Sequence, residues 1–108
     1  MTKKEKLIYL AGIIDGEGCV KLACHKIKRK YKIYYGCQKR CEVSNTSKKL
    51  IDWLYKNFGG HLISAKREGN RKLQYRWALR KKEIEEIFPQ IIPYLIVKKE
   101  ESKETLNY

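Results

Sequence analysis

Hydrophobic positions recur at two different spacings along the chain, and the change of spacing separates one predicted element from the next. Thr2 and Glu5 are three residues apart, which is typical of a capping box at a helix start. A stripe of apolar residues at helical intervals follows them. Residues 20–24 alternate between apolar and polar side chains, and residues 31–43 are rich in Tyr, Ile and Val. These two runs therefore predict a long hairpin after the first helix, which we expect to end near residues 15–18.

The second half of the chain roughly repeats the order of hairpin and helix. Residues 44–47 are all favourable N-cap types, and the helical apolar stripe after them stops at a pair of glycines. Strand-like runs at 61–67 and 73–80 flank a predicted turn at 68–70, and a third helical stripe and a polar helical tail follow. The pattern predicts an α+β fold in the order α-β-β-α-β-β-α, with a four-stranded antiparallel sheet and a single domain over residues 1–108.

The distribution of charge makes this generic fold a candidate nucleic-acid binder. Lys and Arg number 25 and Asp and Glu 12, so the 108 residues carry a formal net charge of +13. Eight basic residues and no acid lie in residues 18–41, and another eight with one acid lie in residues 63–82. The charge therefore follows the predicted hairpins rather than one amphipathic helix of the membrane-binding kind. We expect these hairpins to bind the phosphates of nucleic acid, the alternative being a solvated, highly soluble surface.

Hydropathy limits the surroundings in which the protein is expected to work. No apolar run approaches the ~20 residues that span a bilayer, and the apolar stretch near the N-terminus contains Asp15 and Glu17, unlike a secretory signal. At 43% hydrophobic residues, the chain is also unlike a disordered one. We therefore expect a soluble intracellular protein, cytoplasmic or organellar, without a membrane partner or a small-molecule substrate.

Four cysteines add a question of redox state and metal binding. They are Cys19, Cys24, Cys37 and Cys41. Because intracellular thiols are normally reduced, we expect packed or idle thiols. Strand alternation places Cys24 on the core side with Val20 and Leu22, and Cys41 is expected to pack likewise. Zinc binding is an alternative, although the spacing lacks C-x2-C pairs, and a disulfide is the other.

Residues 10–18, with the sequence LAGIIDGEG, form the most specific pattern in the chain. This segment resembles the signature of the LAGLIDADG homing endonucleases, from which it departs at Ile13, Gly16 and Glu17. The predicted order of elements is also that of the family. The resemblance implies a Mg²⁺-dependent endonuclease that cuts both strands of a long, near-palindromic site in double-stranded DNA, and whose gene lies in an intron or intein or stands free. A catalytically inactive DNA- or RNA-binding protein, such as a maturase or regulator, is the alternative.

One copy of the motif is present, and in this family one copy implies a homodimer. Gly12 and Gly16 stand four apart, a spacing of small residues that lets two helix backbones approach closely. A glycine inside a helix costs roughly 0.5–1 kcal/mol relative to alanine. We therefore expect Gly12 to be needed for close contact between two helices. The alternative is that Ala11 and Gly12 pack beneath the chain's own sheet. The predicted dimer interface consists of Leu10, Ala11, Gly12, Asp15 and Gly16.

The resemblance assigns the metal site to the Glu17 carboxylate and the Gly16 carbonyl. Paired helices would bring two Glu17 carboxylates together, where cations would offset their repulsion, and Mg²⁺ needs only one or two protein carboxylates. Asp15 is expected to support the helix end and the interface. Lys98 matches a family lysine that reaches the active site, and Asn45 stands where relatives often carry Gln, so both are expected to act in catalysis. Without the resemblance they read as a surface lysine and a helix cap.

Strand alternation selects the side chains that are expected to read DNA from the sheet, which fits the major groove. Side chains facing away from the core are expected to contact base edges, and the basic turns to hold phosphates. The predicted DNA-binding residues are Lys21, His25, Lys28, Arg29, Lys30, Tyr34, Gln38, Arg40, Lys66, Arg71, Gln74 and Arg76. The alternation also directs Glu42 to the same side.

Overall fold

The computed structural model of the protein describes residues 1–67, 69 and 72–108 and confirms the predicted α+β order. Its elements are α1 (Lys3–Glu17), β1 (Gly18–Arg29), β2 (Lys32–Asn45), α2 (Lys48–Phe58), β3 (His61–Lys66), β4 (Gln74–Leu79), α3 (Lys81–Ile91), a 3₁₀ helix (Ile92–Tyr94) and α4 (Lys99–Asn107). The predicted turn at 68–70 falls largely outside the described residues, and so does Arg71 of the predicted DNA-binding set. Within the described part of the chain, no helix is long and apolar enough to cross a membrane.

The four strands form one antiparallel sheet in the order β1-β2-β4-β3. Strands β1 and β2 pair from Gly18 opposite Val43 out to Arg29 opposite Lys32, whereas β4 joins only the C-terminal end of β2. The β1–β2 hairpin therefore extends beyond the rest of the sheet. We call its projecting part, residues 24–37, the arm.

Helices cover one face of the sheet and bury its apolar side chains. Trp77 of β4 and Val43 of β2 are fully buried and belong to one core with residues of α1, α2 and α3. The indole nitrogen of Trp77 donates a hydrogen bond to the Gly59 carbonyl, 2.7 Å away. Gly60 has a φ of 85°, and a Cβ there would lie 2.7 Å from the Ala78 carbonyl oxygen, so the turn before β3 requires glycine.

Helix α1 begins with the capping box that the sequence predicts. The Thr2 hydroxyl accepts from the Glu5 N–H at 3.1 Å, and the Glu5 carboxylate accepts from the Thr2 N–H at 2.7 Å. The helix ends at Glu17, within the range 15–18 that the sequence predicts, and the Gly18 N–H caps it by donating to the Ile14 carbonyl. A Cβ at position 18 would lie 2.8 Å from that carbonyl oxygen, so the exit from the helix requires glycine.

The cysteines depart from the expectation of four reduced thiols. Cys24 and Cys37 oppose each other in the register of β1 and β2 and form a disulfide with a Cα–Cα distance of 4.0 Å. The prediction that Cys24 packs in the core is wrong, because this pair lies at the root of the arm and Cys24 is exposed there. Cys41 is buried as predicted, and burial raises the pKa of its thiol to about 12. Cys19 is a free, exposed thiol.

The end of the chain folds back against the long hairpin. Lys39 of β2 is buried, and its ammonium donates to the Glu85 carboxylate at 3.1 Å and to the Leu106 carbonyl at 2.7 Å. Because a buried ammonium is tolerated only when it is paired and hydrogen-bonded, this contact fixes both α3 and the end of α4 to the sheet near the root of the arm.

Candidate active site

Glu17 occupies the last position of α1, and its carboxylate is exposed. Its Oε2 accepts a hydrogen bond of 2.6 Å from Nδ2 of Asn45 at the end of β2. The other end of the same amide is also held, because Asn45 Oδ1 accepts from the Ser47 N–H at 2.7 Å. Asn45 therefore orients Glu17 from the sheet, and these two predicted site residues are neighbours although 28 positions separate them.

Asp15 ties the end of α1 to the segment that precedes α4. Its carboxylate accepts from the backbone N–H groups of Ile96 at 2.8 Å, Val97 at 3.1 Å and Lys98 at 3.0 Å. Partial burial acts to raise the pKa of this carboxyl, but the three N–H donors and the charge of Lys98 outweigh burial and hold the pKa below its ordinary value. Asp15 is therefore an ionised anchor for a distant backbone turn.

Lys98 completes this junction from the other side. Its ammonium donates to the carbonyl oxygens of Ile14 at 3.1 Å, Asp15 at 3.4 Å and Gly18. A lysine has three N–H donors, so all three are directed at the backbone around Glu17. The cation also lies at the negative end of the α1 dipole. The structure thus places the predicted catalytic lysine where it fixes the backbone that carries Glu17.

The face of α1 that points away from the core is lined by small and apolar residues. Ile8, Gly12 and Gly16 follow one another at intervals of four and are exposed. A Cβ built on either glycine meets no described atom within 4 Å. The sequence prediction placed Leu10 and Ala11 at a dimer interface, but both are fully buried in the chain's own core. These two belong to the one stripe of the helix that faces the sheet, and they are not available to a partner.

The donors around Glu17 fit an open magnesium site better than a closed metal centre. Among the residues that the structure describes, no three His, Cys, Asp or Glu side chains are grouped so that they could hold a metal ion. The zinc alternative for the cysteines therefore finds no site among them. One exposed carboxylate beside a main-chain carbonyl suits Mg²⁺, which keeps several waters and takes phosphate oxygens from its substrate.

Polar and basic side chains line the face of the sheet opposite the core. Directly opposed residues on neighbouring strands point to the same side, as Lys21 of β1 and Arg40 of β2 do. Arg76 of β4 lies opposite Ser44 on this same face. The predicted DNA-binding residues found on it are Lys21, His25, Tyr34, Gln38, Arg40, Gln74 and Arg76.

Other predicted DNA contacts lie at the ends of the two hairpins. Lys28, Arg29 and Lys30 are exposed at the tip of the arm, and the Lys30 ammonium lies 5.4 Å from the ring centroid of Tyr31. Lys66 ends β3, next to a shift in its register with β4. The tip thus combines cations with aromatic surface, and both bind nucleic acid.

Glu42 also lies on the basic face, with contacts that the sequence analysis missed. Its Oε2 lies 3.2 Å from Nη2 of Arg76, and its Oε1 lies 3.9 Å from Nη1 of Arg40. Alternation along β2 is the signal that places Arg40 and Glu42 on one face. The contact with Arg76 needs the further knowledge that β4 pairs with β2.

Comparison with known proteins identifies the family. The family model described as LAGLIDADG endonuclease matches residues 10–108, a match that starts at the first residue of the motif. The chain belongs to the LAGLIDADG endonuclease family. No match was found among curated proteins.

Solved structures of homing endonucleases share the fold of this family member. It is similar to I-CvuI in complex with the I-CreI target in the presence of Mg, at 21% identity and a TM-score of 0.72, over 96% of this chain and 65% of that one. It is similar to the archaeal intron-encoded I-Vdi141I complexed with DNA, at 13% identity and a TM-score of 0.76, over 98% and 67%. A third similarity is to I-SmaMI bound to an uncleaved DNA target with calcium ions, at 26% identity and a TM-score of 0.65, over 86% and 32%. The chain therefore spans about two thirds, or less, of the length of these proteins.

Proposed function

We propose that the protein is a site-specific DNA endonuclease that hydrolyses both strands of a long, near-palindromic site as a homodimer with Mg²⁺. One observation carries the proposal: the exposed Glu17 carboxylate is held by Asn45 where the open glycine face of α1 ends and strand β1 begins. The family of the chain supports nuclease chemistry, and the DNA complexes of similar structures support double-stranded DNA as the substrate.

The open face of α1 supports pairing with a second copy. Gly12 and Gly16 leave room for a partner backbone, and small residues at this spacing allow close contact between helices. Ile8 and Tyr9 border the glycines and would bury exposed apolar surface in the pair. A two-fold axis there would bring both Glu17 carboxylates to one region and give each subunit half of a palindromic site.

Each residue around the end of α1 would have its own role in catalysis. Glu17 and the Gly16 carbonyl would hold Mg²⁺, which supplies activation of a water nucleophile and stabilisation of the leaving oxygen when it is bound. Asn45 restrains the Glu17 carboxylate from β2. Lys98 fixes the carbonyls on both sides of Glu17, and its positive charge would also offset negative charge that develops at the phosphate. Asp15 keeps the junction closed through the backbone of residues 96–98.

The test is the substitution Glu17→Gln, after a cleaved duplex has been selected from a randomised or genomic library with Mg²⁺. Glutamine keeps the size of the side chain and an acceptor oxygen but removes the charge that binds the metal. We expect single-turnover cleavage to fall by several orders of magnitude, with gel-shift affinity for the same duplex retained. Glu86→Gln, the same change at an exposed position of α3, is the control and should cleave normally.

Other outcomes of this experiment have distinct meanings. Near-normal cleavage by Glu17→Gln would contradict the catalytic assignment, and equal loss of binding and cleavage would give Glu17 a structural role. Lys98→Ala should slow cleavage less, because Lys98 acts through the backbone rather than as a metal ligand. Specific binding by the wild-type protein without any Mg²⁺-dependent cleavage would favour the inactive DNA- or RNA-binding alternative.

A further inference from the structure

Glu42 is an acidic side chain within a basic surface. Residues 18–41 contain no Asp or Glu, and Glu42 follows them on the face of the sheet that carries the predicted DNA contacts. The Glu42 side chain lies between those of Arg40 and Arg76. It is 18% exposed, less than Arg40 at 36% and Arg76 at 26%. Because a carboxylate repels phosphate, a general need for DNA affinity does not explain an acid at this place.

The two oxygens of the Glu42 carboxylate face different guanidinium groups. Oε2 accepts a hydrogen bond of 3.2 Å from Arg76 Nη2, and Oε1 lies 3.9 Å from Arg40 Nη1. The Cα partner of Arg76 on β2 is Ser44, so the shorter contact runs diagonally across the two strands. A charge-assisted hydrogen bond with a mostly buried carboxylate restrains a guanidinium more than a pair in open solvent does.

We propose that Glu42 is a positioning residue for base recognition, which holds Arg76 in the orientation that reads guanine in the major groove. This inference rests on the proposed function. Arginine recognises the O6 and N7 atoms of guanine through two of its N–H donors, but a guanidinium that is free to turn also binds phosphate. One donor of Arg76 is taken by Glu42, which leaves the others for a base edge and keeps the group from turning to the DNA backbone.

A held arginine and a free one select DNA differently. With Glu42 in place, one base pair of each half-site should show a strong preference for guanine. Without the Glu42 charge, Arg76 turns to phosphate, so affinity for unrelated sequences rises while the preference at that single position falls. Simple neutralisation of surface charge would instead change the affinity for all sequences alike.

The experiment selects bound duplexes from a half-site library without Mg²⁺, so that binding rather than cleavage is measured. Glu42→Gln should lose the guanine preference at one position by on the order of tenfold or more and keep the preferences elsewhere. Glu42→Asp retains the charge and should recover part of the lost preference. The matched control is Glu86→Gln, the same change in an exposed acid of α3, and it should keep the full wild-type profile.

The possible results separate this inference from the proposed function. An unchanged guanine preference in Glu42→Gln, or an equal change of affinity at every position, would overturn the role of Glu42 while the wild type stays specific. A wild-type protein that selects no sequence would contradict the proposed function instead. If Glu42→Gln fails to fold by circular dichroism, Arg76→Lys and Glu42→Asp decide together. Loss of one guanine preference in Arg76→Lys and a weaker preference at the same position in Glu42→Asp support the proposal, and a full preference in either variant overturns it.

Discussion

Polar groups are paired within the chain at one end of the β1–β2 hairpin and face solvent at the other. We call the paired end, where residues 14–18 contact residues 96–98, the base; the other end is the arm. Around the end of α1, Asp15 accepts three backbone hydrogen bonds and Lys98 donates three. In the arm, residues 24–37, the tip residue Tyr31 is 89% exposed, and a disulfide joins the strands at the root. One region is thus held by its own hydrogen bonds, whereas the other presents cations and aromatic rings to solvent.

Under the proposed function, this difference separates the residues for chemistry from those for DNA affinity within one small domain. A metal ligand must be held within a fraction of an ångström, and bonds within the chain achieve this without any partner. A surface that meets phosphate keeps its cations unpaired until DNA arrives, because binding is driven by the counterions that DNA releases. Glu42 fits neither description, because it is an acid that pairs with cations on the basic face of the sheet.

The largest expected effect concerns the exposed region. If six to ten phosphates are neutralised, affinity for the target duplex should fall on the order of 10³–10⁵-fold between 50 and 200 mM salt. Replacing Lys28, Arg29 and Lys30 together by Ala should reduce the slope of log affinity against log salt by ~0.9 for each phosphate that is no longer neutralised. Fluorescence anisotropy titrations over a range of salt concentrations measure both quantities.

The same triple substitution should weaken DNA binding and leave folding stability nearly unchanged. The three side chains are exposed, so the free energy of unfolding should stay within about 0.5 kcal/mol of the wild-type value. Removing two cations from the start of α1, with Lys3→Ala and Lys4→Ala together, is the control and should leave the salt slope unchanged. A nearly flat salt response of the wild-type protein would exclude the basic hairpins as the DNA surface.

An intermediate effect is expected at the base, where Asp15→Asn should cost folding stability. Both oxygens of the Asp15 carboxylate accept hydrogen bonds from backbone N–H groups. Asparagine replaces one of these oxygens with an NH₂ group, which is a donor and cannot accept. At least one hydrogen bond to residues 96–98 is therefore broken. Hydrogen bonds to charged groups contribute ~1.5–3 kcal/mol each, and we expect the free energy of unfolding in urea to fall by about 2 kcal/mol. The control Asp52→Asn, in an exposed pair with Lys48, should cost at most about 0.5 kcal/mol. Equal costs would show that the base is held no better than the surface.

The sequence predicts the local features of both regions and misses their distant contacts. Thr2 and Glu5 are recognisable as a capping box because both partners lie within one helical turn, and Glu17 is recognisable because it ends a specific motif. The bonds of Asp15 to residues 96–98 span more than 80 positions. Neither segment specifies the other, so this junction appears only once the helices have packed on the sheet.

Register and helix orientation set the second limit on what the sequence predicts. Cys24 and Cys37 oppose each other because the turn of the arm fixes the pairing of β1 with β2, and a slip by one residue would place their side chains on opposite faces. Helix α1 carries two stripes of apolar or small residues, one with Leu10 and Ala11 and the other with Gly12. Periodicity alone does not show which of the two stripes faces the sheet, and packing assigns Leu10 and Ala11 to the core.

The smallest expected effect concerns association through α1, where Gly12→Leu should weaken the pairing of two copies and leave each copy folded. A Cβ at this position meets no described atom within 4 Å, and replacing a helical glycine removes up to about 1 kcal/mol of backbone cost. The melting temperature of the separated subunit should therefore hold or rise. In the pair, leucine would lie where two backbones approach, and overpacking costs about 1–3 kcal/mol.

We expect the lower end of that range, because two packed helices can move apart slightly, and hence a roughly tenfold weaker association in sedimentation velocity. Gly12→Ala adds one methyl group and should shift the equilibrium less than leucine does. Tyr9→Ser, on the exposed side of the same helix, removes apolar surface without adding bulk and should also weaken the pair. A Gly12→Leu protein that is folded and as fully dimeric as the wild type would place the interface elsewhere, and Glu17 would then lack its counterpart from a second copy.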